Sequence, residues 1–147
     1  SVTRPVKSLL YRKKVGGYNT YILFNFFEEQ LMSVCYQFDV EHTNRNLYIE
    51  DYEKIKRLLI QKYKEPYLDK VIWKNDLYKN DPEHYGFAVS LGYLIYMTSW
   101  ELPEKDTTIL HILSGDNFKI NFGTLYEYRS LIKKYNEWKE SQTKDEF

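Results

Sequence analysis

The chain has 147 residues, with 21 Lys and Arg against 21 Asp and Glu, so its formal net charge is zero. That balance excludes the basic excess on which nucleic-acid binding rests; the best basic cluster, Arg12-Lys13-Lys14, reads as the solvated end of a hairpin. A single cysteine, Cys35, excludes an intrachain disulfide framework, and no apolar run approaches the length of a membrane span.

Aromatic residues make up 18% of the chain, many in alternating runs such as residues 18–27. Such side chains suit a pleated, half-buried surface, and a tyrosine buries its ring while its hydroxyl stays wet. The pattern predicts a curved sheet with one greasy face and one polar, aromatic face. In chain order, residues 8–15 form a strand, Gly16-Gly17 a hairpin turn and residues 18–27 a second strand. Residues 28–30 are a tight connection and 31–40 a third strand. Alternation there sets Leu31, Ser33, Cys35 and Gln37 on one face, and Met32, Val34, Tyr36 and Phe38 on the other, apolar one. Cys35 thus faces the polar side, and no His or Asn at a diagnostic spacing supports a nucleophilic role.

A polar turn at 42–46 offers asparagines as helix caps. Tyr48, Tyr52, Ile55, Leu59 and Tyr63 then recur at helical spacing and predict a helix over 47–64. Acid-first pairs Glu50–Lys54 and Glu53–Arg57 support it, and Pro66 ends it. Residues 70–73 read as a strand and 75–83 as a polar loop. Residues 85–91 and 93–101 form a hairpin about Gly92, 103–106 a turn, and 107–113 with 118–125 a last hairpin. A closing helix spans about 128–140, with a frayed tail at 141–147.

The order β-β-β-α-β-β-β-β-α defines an α+β domain of antiparallel meander sheets with helices packed on one face. Residues 1–147 make one domain, or two intertwined halves: a truncated first unit over 1–43 and a helix plus four-strand unit over 44–140. A helix upstream of Ser1 would complete the first unit.

The helix ending Lys62-Tyr63-Lys64-Glu65-Pro66 leads to a strand ending at Trp73. Gly92-Tyr93-Leu94-Ile95-Tyr96 closes on Trp100-Glu101, and Ile109-Leu110-His111-Ile112-Leu113 pairs with Ile120-Asn121-Phe122. Over roughly residues 8–128 this element order resembles the small bacterial α+β proteins related to the β-lactamase inhibitor protein and the outer-membrane assembly lipoprotein BamE. The resemblance implies a non-enzymatic module that presents a concave sheet to another protein. It brings no catalytic motif and no contact residue matched position by position.

Phosphate-cradling glycine loops, a nucleophile elbow and the zinc-protease helix motif are all absent from the sequence. His42, His84 and His111 stand far apart, without metal-ligand spacing. His111 reads as structural and His42 as capping or solvated. The carboxylate pairs Glu28-Glu29 and Glu50-Asp51 read as a turn and a helix N-terminus. No catalytic residue, metal or cofactor is therefore expected. The candidate binding residues are aromatic: Trp73, Tyr78, Tyr85, Tyr93 and Trp100, around the 75–85 loop. Exposed Trp and Tyr anchor interfaces at small entropic cost, with core packing as the competing reading for Trp73 and Trp100.

The expected function is a non-enzymatic protein-binding or scaffold module whose partner is another protein. Two readings stay open beside it: a small-ligand binder or hydrolase with a polar site at Asp76, Asp81, Glu83 and His84, and a structural domain of a larger envelope protein. A removed leader would place the chain at the cell envelope or outside the cell; otherwise it is cytoplasmic.

Overall fold

The computed structural model describes residues 5–147. The strands are β1 (Val6–Val15), β2 (Tyr18–Phe27), β3 (Gln30–Phe38), β4 (Leu68–Trp73), β5 (Leu94–Leu102), β6 (Thr107–Asp116) and β7 (Lys119–Tyr128). Three helices accompany them: α1 (Asn46–Tyr63), α2 (Tyr85–Ser90) and α3 (Arg129–Lys144). All seven strands join one antiparallel sheet in the order β1-β2-β3-β7-β6-β5-β4. The α+β class and the order β-β-β-α-β-β-β-β-α are those the chain predicts, with α2 standing where the run 85–91 reads as a further strand.

Local chemistry explains this path. The β1–β2, β2–β3 and β6–β7 connections turn in two residues, Gly16-Gly17, Glu28-Glu29 and Asn117-Phe118, all at positive φ. That geometry matches the twist of a hairpin. After β3, α1 carries the chain to the far edge of the sheet, and β4 to β7 meander back until β7 pairs with β3, Ser33 opposite Glu127 and Gln37 opposite Gly123.

Alternation divides the side chains between the two faces. One face carries Tyr36, Thr124, His111 and Thr98 in a single cross-strand row. α1 covers it with Tyr48, Tyr52, Ile55 and Leu59, all buried. Trp100, Ile109, Leu113 and Phe122 complete the core there. Tyr36, expected on the apolar face, lies here with Tyr96, Trp100, Phe122 and Tyr126, all in or against the core under the helices. A ring gains more from helix cover than from half-burial on an open sheet.

The expectation of helices on one face describes α1 and α2. α3 instead returns along the opposite face, where Phe27 meets the rings of Tyr135 and Trp138 at 5.7 and 5.8 Å. Its helix continues to Lys144, past the expected end near 140.

The run 85–91 is a correction. It forms α2, not the first strand of a hairpin. Pro82 opens a turn of 3-10 helix that leads into α2, and the Asn46 side chain accepts the Gly86 amide at 2.7 Å. Gly92, at φ 80°, is the helix terminator: its amide bonds the Val89 carbonyl, and the Tyr93 amide reaches Ala88. This is a Schellman closure, not a hairpin turn.

Smaller expectations also shift. Glu53 sits 3.9 Å from Lys56 rather than pairing with Arg57, and Lys56 reaches Asp69 on β4 at 2.6 Å. Lys54 lies over the Tyr18 ring. Asn44 accepts the Asn46 amide just ahead of α1.

Candidate functional site

The face opposite α1 and α2 is organised in rows. The pairings Leu10–Leu23, Leu23–Cys35, Cys35–Leu125 and Leu125–Leu110 carry one aliphatic row across five adjacent strands. Ser99 and Leu68 extend it to the β4 edge. Leu23, Cys35, Leu125 and Leu110 are half-buried, and Leu10 is exposed. The next row holds Tyr21, Gln37, Gly123, Ile112 and Met97. On the other side a polar row, Ser8, Asn25, Ser33 and Glu127, is joined by hydrogen bonds of 2.7 Å from Ser8 to Asn25 and 3.0 Å from Asn25 to Ser33. α3 lies toward this polar side, where Glu127 and Thr108 share a cleft with Arg129 and Lys133. Burial there holds the Glu127 carboxyl above its ordinary range.

Cys35 sits in the middle of the aliphatic row. Its thiol is pushed up from its ordinary value by burial, the opposite of activation.

A second feature opens where the sheet splits. β3 and β7 pair only from Ser33 to Gln37, while β7 begins at Lys119. An open cleft of about 750 Å³ fills the notch, walled by Gln37, Glu41, His42, Thr43, Tyr48 and Lys119, with Phe118 at its rim. The His42 ring is held firmly. Its Nε2 lies 2.6 Å from Asp51, whose other oxygen accepts the Tyr18 hydroxyl at 2.8 Å. The Tyr48 hydroxyl accepts the His42 amide at 3.0 Å, and the two rings meet edge to face. Burial and the Asp51 carboxylate push the Tyr18 phenol up to about 12. This arrangement can fix an imidazole and share a proton with a carboxylate. Among the described residues, no serine or cysteine lines the cleft beside His42.

The expected site residues separate into two groups. Trp73 meets Tyr85 at 5.0 Å, and Tyr78 stacks between His84, at 5.6 Å, and Tyr93, at 6.4 Å. All four expected aromatics other than Trp100 are partly buried against the core margin, and the Tyr85 hydroxyl ties down the Lys79 carbonyl. Trp100 is apart from them: it is 1% exposed and donates its indole N–H to the Lys64 carbonyl at 2.9 Å.

The polar residues of the same loop do not converge. His84 pairs with Asp81 at 2.6 Å on the exposed surface, while Asp76 and Glu83 are solvated. Among the described residues, no group of three or more His, Cys, Asp or Glu is placed to hold a metal ion. His111 is fully buried, facing Thr124 at 2.9 Å and the Tyr52 carbonyl at 3.1 Å. Desolvation pulls its pKa down to about 4.

Sequence reasoning missed the Tyr18–Asp51–His42 chain and the aliphatic row. The first joins His42 and Asp51 to Tyr18 on β2, 33 residues before Asp51, so no local spacing reveals it. The second was visible only as unremarkable leucines, because strand register decides which of them align. The chain matches no family model, no curated protein and no solved structure.

Proposed function

We propose that the protein is a non-enzymatic binding module whose open sheet face docks against another protein. The observation that supports this is the aliphatic row Leu10–Leu23–Cys35–Leu125–Leu110, running in register across the face opposite α1 and α2, beside the polar side toward which α3 lies. Apolar surface aligned on a rigid sheet is suited to burial by a partner. The aromatic loop around Tyr78 and Tyr85 supports the rim of the fold, since its rings already pack on one another.

The test compares baits. Wild-type protein, Leu110→Asp, and Tyr78→Ala are immobilised, and the proteins retained by each are identified. The reading expects a partner held by wild type and by Tyr78→Ala, and lost with Leu110→Asp while near-UV circular dichroism stays native. Equal retention by all three baits contradicts it.

A further inference from the structure

The β1 edge carries the inference furthest. Among the described residues β1 pairs only with β2, and eight of its ten residues are exposed. The closing pair of a two-residue hairpin exchanges both backbone hydrogen bonds, and pairs then alternate. With Val15 opposite Tyr18, the odd residues of β1 bond β2. The bond from the Glu28 amide to the Pro5 carbonyl keeps the same phase at the far end. Ser8, Leu10, Arg12 and Lys14 therefore turn their N–H and C=O groups outward.

Two properties of this edge are unusual together. Leu9, Leu10 and Tyr11 are 49%, 62% and 55% exposed, three successive apolar residues on an edge strand. The same strand holds Lys7, Arg12, Lys13 and Lys14 and no acid. Lysines on an edge commonly guard against unwanted pairing, and here they set the charge of what can pair. A second copy would bring like charges into register, which is unfavourable across a ladder. The other edge, β4, is six residues long, and its Asp69 is already engaged by Lys56 and Thr98.

We propose that β1 accepts an extended, acidic segment of a partner protein as an eighth strand. The main chain would supply affinity through the outward groups of Ser8, Leu10, Arg12 and Lys14, the Lys side chains would select carboxylates, and Leu9, Leu10 and Tyr11 would be covered. This deepens the binding-module reading, and rests on it, by naming the partner's local chemistry.

The experiment uses a labelled, strand-length peptide alternating Glu with Val and Thr, and its Lys-for-Glu counterpart, titrated by fluorescence anisotropy at low and high salt. Wild type is expected to bind the acidic peptide, to weaken about tenfold or more at high salt, and to ignore the basic one. Leu10→Pro removes one outward amide that β2 does not use, and is expected to abolish binding. Lys13→Glu/Lys14→Glu leaves the backbone intact and is expected to reverse the preference. Absence of binding by wild type overturns the proposal. So does equal binding by a folded Leu10→Pro, which marks a charged patch without strand addition. Self-association that Leu10→Pro abolishes assigns the edge to a second copy and also overturns it. Failure here with Leu110→Asp still losing its partner removes the edge role alone; loss of both removes the module reading.

Discussion

His111 shows how one buried side chain links sequence to pH behaviour. It lies in the middle of the core face, stacked on the Tyr52 ring at 4.5 Å and bonded to Thr124 and to the Tyr52 carbonyl. Its pKa is about 4 when folded, against 6.5 as an ordinary histidine. The unfolded chain therefore binds a proton first as pH falls. Stability from the neutral ring is complete above pH 6.5 and is lost progressively toward pH 4, by roughly 3 kcal/mol in all. Denaturant melts between pH 7 and pH 4 are expected to show this slope, and His111→Gln to flatten it. An unchanged slope in that variant places the titration elsewhere. Trp100 gives the matching test of the core: Trp100→Ala is expected to cost about 3–5 kcal/mol, whereas Tyr78→Ala, at the core margin, costs visibly less. The sequence offered Trp100 as an aromatic in a strand and Tyr78 as one in a polar loop; the burial of Trp100 depends on which face the strand register assigns.

At the scale of elements, α1 was plain in the sequence because four of its five spaced apolar residues, Tyr48, Tyr52, Ile55 and Leu59, are buried along one stripe. The β1–β2 hairpin was plain as well, since its two-residue Gly16-Gly17 turn leaves few alternatives. α2 was not. Tyr85-Gly86-Phe87-Ala88-Val89 has the composition of a strand, and six residues are too few for a helical period to emerge. Tertiary contacts decide it: a Cβ at Gly86 would stand 2.2 Å from the Arg45 carbonyl carbon, so α2 fits only by pressing its backbone against the start of α1. The Asp81-Pro82-Glu83 start signal and the Gly92 stop signal were both present, and a helix reading was open to them. Gly86→Ala is expected to destabilise by about 1–3 kcal/mol through overpacking, measured as a lower melting temperature. A melt indistinguishable from wild type contradicts that contact.

At the scale of the whole molecule, the α+β class and the order of seven strands followed from alternation and turns, because each strand pairs with a neighbour close in sequence except where α1 intervenes. Which face stays open did not follow. The aromatics dominate the sequence, yet α1 and α2 cover the face that holds Tyr96, Trp100 and Phe122, and the opposite face carries an aliphatic row assembled one residue per strand. That row places the only cysteine, Cys35, at its centre, between Leu23 and Leu125. Cys35 is thus a native reporter for the surface on which the account depends. The decisive measurement is the rate at which a maleimide labels Cys35 in the free protein and in complex with the partner retained by the wild-type bait. Docking on the open face predicts slow labelling of the free protein and a further marked fall in the complex. Labelling at the same rate in both states, with the partner demonstrably bound, contradicts it.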